Sequence, residues 1–574
     1  MKTNDFSIMI GGEAGDGISR SGETLARAFL RGGLHIFGTN DYQSLIRGGH
    51  NFYILRVKGE EVYSQGDLVD LLIAFNDDTI NRHEGDIVSD GGIIYDGEAS
   101  KITPKRNDLK RYMVPVNRIV EELNGRTIMR NTVALGAAIG LLDYDLTLLF
   151  GVLKDSFEGK VADLNIAAAE RGYKYAKENY GDFGYQLKKQ EPKRKMVLTG
   201  NEAVGLGAIN AGCKFYAAYP MTPVAGLLHF MAENERNYDM IVLQAEGEIA
   251  AINMIVGASY AGARAMTSTS GGGFCLMTEG LGLAGMTETP VVIMVGQRPG
   301  PSTGLPTYSA QGDLRFILHA SQGEFPRVVV APGDVEQCFY ETMRAFNLAE
   351  KYQLPVIILA DKYGLESHCE ADPFDPHRIG VERGELIVGE YRGGEEYKRY
   401  KVTERGVSPR ALPGTKGAII RANSSEHDEY GYTTERAELT KEMNEKRFRK
   451  LSLLLKEFDG IETTKLYGPQ SADATIVSLG STKGPIREAM RLLEARGIVT
   501  NFLQIIYLEP FPTSAVKRVL DSANKTMMVE HNVTSQLSSL LKERLLRDVD
   551  YKILKYDGRP FNPGELSKRI EEAL

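Results

Sequence analysis

Short β-branched runs alternate along the chain with longer amphipathic stretches, the rhythm of stacked α/β domains. Ser7-Ile8-Met9-Ile10 reads as a buried strand, followed by a glycine turn and a helix from about Ser19 to Leu30. Arg31-Gly32-Gly33 supplies the stop for that helix. Strands are expected at Leu71 to Phe75 and Gly92 to Tyr95, and the charged, proline-broken run Leu187 to Lys195 reads as a linker. A second α/β segment, from about Met196 to Glu366, carries strands at Pro290 to Val295, Val328 to Val330 and Pro355 to Leu359. Ser367 to Thr415, rich in Gly, Pro and charge, reads as an irregular connector with one small hairpin. From Asp473 the alternation resumes: strands at Ala474 to Leu479, Thr500 to Ile505 and Thr526 to Val529, with a helix over Ile486 to Ala495.

Composition narrows the class. The 574 residues suggest three or four domains at about 150 residues each. A charged fraction of 25% beside 42% hydrophobic residues is the balance of a soluble globular protein. Lys+Arg 68 against Asp+Glu 76, net −8, argues against coating nucleic acid. Asp5 interrupts the short apolar stretch after Met1, so no signal peptide is expected. The longest helical apolar stretch, near Asn131 to Leu153, carries Asp143 and Asp145 and is no membrane span. Cys213, Cys275, Cys338 and Cys369 are too scattered for a disulfide framework or an iron–sulfur site. The nine histidines show no metal spacing. The expectation is a cytoplasmic, multi-domain α/β protein.

Several stretches carry candidate chemistry. Gly11-Gly12-Glu13-Ala14-Gly15-Asp16-Gly17, between a strand and a helix, is either a ligand-free turn or a seat for an anion at a helix N-terminus. It does not fit the dinucleotide fingerprint. Asn40 follows Gly15-Asp16-Gly17 too soon for the metal–diphosphate motif of thiamine enzymes. In Gln43-Ser44-Leu45-Ile46-Arg47-Gly48-Gly49, Arg47 is either a phosphate contact or a surface arginine in a turn.

The second segment says more. In Tyr219-Pro220-Met221-Thr222-Pro223 two prolines fix the chain around one short hydroxyl donor, Thr222. Gln244-Ala245-Glu246-Gly247-Glu248 opens a helix whose apolar positions include Ile249, Ile252 and Val256. Two carboxylates there can compensate the helix dipole, or Glu248 can serve the aminopyrimidine nitrogen of thiamine diphosphate, with Ala250, Ala251 and Gly257-Ala258 giving the low relief a flat ring needs. Thr267 to Gly273 reads as a hydroxyl-and-glycine loop before a small-residue helix, Glu279 to Met286. Gln297-Arg298-Pro299-Gly300-Pro301-Ser302-Thr303-Gly304-Leu305-Pro306-Thr307 leaves the C-terminal end of a strand, the edge where α/β sheets bind ligands. Arg298 is able to grip a carboxylate with both nitrogens or to sit in a structural ion pair.

These motifs, in this order, make residues 196 to 574 similar to the alpha subunit of 2-oxoacid:ferredoxin oxidoreductases. Residues 1 to about 185 resemble the gamma subunit of the same enzymes, fused at the N-terminus. The chain departs from the usual pattern at Met221, where the family has Ile, and at Ser270-Gly271-Gly272-Gly273, where it more often has Ser-Gly-Pro-Gly. The resemblance implies a gamma-type α/β domain (1–185), a thiamine-diphosphate pyrimidine-type α/β domain (196–366), a connector (367–465) and a transketolase C-terminal-like α/β domain (466–574).

It also implies an activity: CoA-dependent oxidative decarboxylation of a 2-oxoacid, of the 2-oxoglutarate or pyruvate type, to acyl-CoA and CO2 with reduction of ferredoxin. A separate beta subunit would bring Mg2+ and a [4Fe-4S] cluster, in an αβ or (αβ)2 assembly without nucleic acid or membrane. Thiamine diphosphate would lie between the subunits and face Glu248, the catalytic residue. Thr222, Arg298 and Thr307 match substrate-binding positions, Arg298 for the carboxylate, and Arg47 is a candidate coenzyme A contact. The competing readings are a non-catalytic scaffold of the same fold and a stand-alone thiamine-dependent carboligase.

Overall fold

The computed structural model describes residues 2–45 and 48–574. Arg47, the coenzyme A candidate, lies outside them. Three large sheets organise the described chain. The first has eight strands in the order Lys110–Met113, Ile87–Tyr95, Val69–Ala74, Asp5–Ala14, Gly48–Lys58, His35–Asp41, His368–Ala371 and Met196–Leu198. The first four run parallel and the rest antiparallel. Helices cover one face, and Ile8, Ile10, Phe29, Leu55, Val133 and Ala137 share its core.

Two corrections follow. Met196–Leu198, expected to open the second segment, joins the first sheet through His368–Ala371, itself part of the expected irregular connector. The first strand also runs past the expected turn to Ala14. The reversal falls at Gly15 (φ 101°) and Gly17 (φ 72°), conformations open to glycine. There Asp16 accepts from Arg130 at 2.7 Å and from the Glu13 amide at 3.0 Å. The protein's own carboxylate thus occupies the turn, which disfavours the anion reading.

The second sheet runs Ile241–Gln244, Phe215–Ala218, Ala265–Ser270, Val291–Gln297, Pro355–Asp361, Val328–Val330 and Tyr507–Glu509. Six strands are parallel and the last is antiparallel. The third has five strands: Thr464–Tyr467, Thr500–Ile505, Ala474–Ser478, Thr526–Glu530 and Tyr551–Leu554. Tyr507–Glu509 leaves the third unit to edge the second sheet, and one apolar core spans Ile293, Ile357, Leu503 and Leu537.

The connector is more ordered than its composition suggests. It contains a 22-residue helix, Ala437–Phe458. That helix docks through Lys446 and Lys450, 0% and 1% exposed, onto Glu288, 1% exposed. The apolar stretch 131–153 is two helices, Arg130–Leu141 and Leu146–Ser156. Asp143 is left-handed (φ 51°) and Asp145 caps the second helix by accepting from the Thr147 amide. Among the described residues no helix is long and apolar enough to cross a membrane.

Candidate active site at the sheet edge

Parallel strands present their C-terminal ends at one edge, where the chain turns into helices and leaves backbone groups free for ligands. In the second sheet that edge gathers what leaves four neighbouring strands: Thr222 after Phe215–Ala218, Glu248 after Ile241–Gln244, Gly271 to Gly273 after Ala265–Ser270, and Arg298 after Val291–Gln297. The stretch Thr267 to Ser270 is therefore a fully buried strand rather than a loop, and its helix starts at once, Gly271–Met286. Its hydroxyls concealed the strand from an apolar reading.

Glu248 is the first residue of the helix Glu248–Tyr260 and 4% exposed. Its Oε1 is buried without a hydrogen-bond partner, as are the hydroxyls of Thr267, Thr269 and Ser270. Unpaired buried polar atoms cost free energy, and of these Glu248 Oε1 and Thr269 Oγ1 lie against the same glycine, Gly273, at the ligand-binding edge. A Cβ on Gly273 would stand 2.3 Å from Glu248 Oε1 and 2.1 Å from Thr269 Oγ1, so only glycine lets the Glu248 carboxylate and the Thr269 hydroxyl pack this close to the start of the helix Gly271–Met286. The residues present fit an aminopyrimidine ring with its nitrogen toward Glu248. Glu246 is exposed, two residues before the helix, and the Gly247 cap has no side-chain hydrogen bond. Ile249, expected on the apolar face, is 58% exposed, whereas Ile252 and Val256 are buried.

Arg298 donates from Nη1 to the Thr222 carbonyl at 2.9 Å, which joins the two expected substrate residues. Burial lowers its pKa, and the nearby Asp313 opposes that shift. Asp313 went unnoticed in the sequence, where it looks like an ordinary acid before the short helix Leu314–His319. Its amide donates to Gln297 Oε1 at 3.0 Å, and its Oδ2 is buried and unpartnered. A Cβ on Gly271 would lie 2.4 Å from that oxygen. Desolvation pushes the Asp313 carboxyl up to about 6 against the pull of Arg298.

Thr307 is 3% exposed and sits elsewhere. It lines a cavity of about 390 Å³ between the three units, with Asn40, Asp41, Lys362 and Arg559. Thr222, Glu248 and Arg298 do not line that cavity. Tyr219, Leu243, Met254, Leu276 and Leu305, on the segments that carry or flank the site, are each more than one-third exposed, with exposed polar residues such as Gln244 and Glu246 among them.

Comparison with known proteins identifies the family. Three family profiles match in succession: pyruvate ferredoxin/flavodoxin oxidoreductase over residues 7–175, the thiamine diphosphate-binding domain of pyruvate flavodoxin/ferredoxin oxidoreductase over 206–446, and pyruvate:ferredoxin oxidoreductase core domain II over 472–562. The alpha subunit of 2-oxoacid:ferredoxin oxidoreductase 2 from Aeropyrum pernix is 32% identical, with 99% of this chain and 98% of that one covered. The chain belongs to the 2-oxoacid:ferredoxin oxidoreductase alpha-subunit family. A 2-oxoglutarate synthase subunit KorA from Archaeoglobus fulgidus is 34% identical over 66% of this chain and 99% of its own. The solved 2-oxoglutarate:ferredoxin oxidoreductase of Magnetococcus marinus, with 2-oxoglutarate, coenzyme A and succinyl-CoA bound, superposes with a TM-score of 0.91 at 34% identity, covering 99% of each chain. The family's α/β multi-domain architecture is thus present throughout.

Proposed function

We propose that this chain is the alpha subunit, with a fused gamma-type domain, of an enzyme that decarboxylates a 2-oxoacid of the 2-oxoglutarate or pyruvate type. The acyl group goes to coenzyme A, CO2 leaves, and two electrons pass to ferredoxin. Thiamine diphosphate supplies the nucleophilic carbon for that chemistry when bound. The observation that carries the reading is the buried, unpartnered Glu248 Oε1, packed on Gly273 at the ligand-binding edge of the sheet.

This chain's own residues divide the work. Glu248 holds a proton at the aminopyrimidine nitrogen. Arg298, braced by the Thr222 carbonyl, orients the substrate carboxylate, and the Thr222 hydroxyl adds a second contact. Thr307, which lines the separate cavity between the units, is proposed as a contact for the distal part of the substrate. Arg47 is proposed as a coenzyme A contact. A beta subunit seated over the exposed Tyr219, Leu243 and Leu276 would supply the magnesium–diphosphate site and the iron–sulfur cluster, in a soluble cytoplasmic assembly. Residues 1–185, 196–366 and 466–574 would be the three functional domains, joined by the 367–465 connector. The scaffold reading is disfavoured because a buried, unpaired carboxylate oxygen at the ligand-binding edge costs stability unless a guest pairs it.

The test is co-production with a candidate beta chain and an assay of dye reduction dependent on both 2-oxoacid and coenzyme A. Arg298→Lys should raise KM for the 2-oxoacid by about tenfold or more, since lysine cannot reproduce the two-pronged grip. An unchanged KM would remove Arg298 from the substrate site, and no turnover with any 2-oxoacid would overturn the reading.

A further inference from the structure

Arg298 opens a stretch with no regular structure of its own: between the strand Val291–Gln297 and the helix Leu314–His319, residues 298–313 form neither helix nor strand. Inside it the Leu305 amide donates to the Pro299 carbonyl at 3.0 Å and the Tyr308 amide to the Leu305 carbonyl at 3.2 Å. Such local turns shape the stretch without fixing where it lies, so its remaining polar groups must be held from outside.

The third unit holds them. Gly558, left-handed at φ 80°, lies so near that an added Cβ would stand 3.3 Å from Leu305 and Tyr308 and 3.7 Å from Pro299, the residue after Arg298. Its carbonyl accepts from the Ser309 amide at 3.1 Å. Further along, Gln311 is buried and every one of its polar groups is engaged. Its amide donates to the His531 carbonyl at 2.7 Å, and its own carbonyl accepts from Asn532 Nδ2 at 3.1 Å. Its Nε2 donates to Asp361 Oδ2 at 3.0 Å and to the Leu479 carbonyl at 3.2 Å, while Oε1 accepts from the His531 amide at 3.4 Å. Asp361 ends a strand of the second sheet and also accepts from Ser481 of the third unit at 2.7 Å, so Gln311 sits where the two units meet. Gln536 closes the far end: its Nε2 donates to the Gly312 carbonyl at 2.7 Å, and its Oε1 accepts from the Arg315 amide at 3.0 Å.

We propose that the third unit positions the 2-oxoacid: gripping residues 298–313 through Gln311, and with Gln536 and Gly558, it fixes where Arg298 meets the substrate carboxylate. Gln311 and Gln536 are thus positioning residues that act through Arg298. This rests on Arg298 being the carboxylate contact, as proposed above. The physical reason lies in the guanidinium fork, which pairs with both oxygens of a carboxylate in one orientation only. The Thr222 carbonyl anchors one nitrogen of that fork, and the backbone that carries the side chain is steadied by the third unit. A stretch without a ladder of its own is otherwise the kind of segment that opens at low cost.

The test is steady-state kinetics of the assembled enzyme as wild type, Gln311→Ala, Gln536→Ala, Arg298→Lys and each of the first two combined with Arg298→Lys. Gln311→Ala should raise KM for the 2-oxoacid about tenfold, since small misplacements of a positioning group are costly, while kcat stays within about twofold. Gln536→Ala, a change near the surface, should raise KM about threefold, the worth of one hydrogen bond. It should also speed amide hydrogen exchange across residues 298–313 and leave that of the strand Val291–Gln297 unchanged. In the Arg298→Lys background neither change should add in full, because residues acting through one group are not additive. A Gln311→Ala enzyme that melts lower but keeps its KM has lost a structural bond only and overturns the proposal, as does full additivity with Arg298→Lys; both leave Arg298 in place. A wild-type KM in Arg298→Lys overturns the reading of Arg298 itself. Should Gln311→Ala fail to assemble, Gln536→Ala decides: wild-type KM with wild-type exchange overturns the proposal.

Discussion

Glu248 Oε1 and the Cα of Gly273 face each other so closely that a methyl group on the glycine would lie 2.3 Å from the carboxylate oxygen. The helix headed by Glu248 thus packs its carboxylate directly on Gly273, and Gly273→Ala would force the two apart. Overpacking of this kind costs about 1–3 kcal/mol, so the variant should melt below the wild type. The decisive measurement is the thermal shift produced by thiamine diphosphate in the assembled enzyme, which should shrink or vanish.

Glu248→Gln separates stability from function. The wild-type side chain is buried with one oxygen unpaired, and a neutral amide of the same shape is less costly to bury. The variant should melt no lower than the wild type, yet lose turnover with 2-oxoacid. Retained turnover would remove Glu248 from the chemistry.

Asp313 should leave a mark on the pH dependence of stability. Its carboxyl is raised from 3.8 to about 6 by desolvation, so between these values the folded chain binds more protons than the unfolded one. Stability then falls as pH rises from about 4 to about 6, and the penalty is complete above that. Asp313→Asn should flatten this part of the curve and gain stability relative to wild type at neutral pH. Urea unfolding of both proteins at pH 4.5 and 7.5 measures it.

The buried cluster of Glu288, Lys446 and Lys450 predicts an asymmetry. Lys446 donates to Glu288 Oε1 at 2.5 Å, Lys450 pairs with the other oxygen, and Arg399 adds a bond to the Glu288 carbonyl at 2.8 Å. Glu288→Gln strands two ammonium groups inside the protein and should cost about 3–5 kcal/mol. Lys446→Met leaves Glu288 paired with Lys450 and should cost less. Thermal melts of the two variants give the order.

The same cluster shows why part of the fold escaped the sequence. The α/β alternation was legible because Ser7 to Ile10, Val328 to Val330 and Pro355 to Leu359 are continuous apolar runs, the mark of strands buried on both faces. The helix Ala437–Phe458 was not, because lysines take core positions on its inner face. Thr267 to Ser270 hid for the same reason, as hydroxyls buried where apolar groups are expected. Tyr507–Glu509 is three residues long and belongs to a sheet built mostly by distant sequence, so no local pattern announces it. At the site, Thr222, Glu248 and Arg298 stood out because prolines, glycines and small residues frame them. Asp313 carries no such frame, and it meets Gln297 and Gly271 only once the second sheet has folded.

The first sheet has an uncommon makeup, since its outer two strands, His368–Ala371 and Met196–Leu198, come from far along the chain. Until the ribosome has delivered residue 371, the backbone of His35–Asp41 has an open flank capable of recruiting strands from other molecules. Biogenesis is thereby coupled to completion: the leading third of the polypeptide should stay chaperone-dependent until the pyrimidine-type region emerges and seals it.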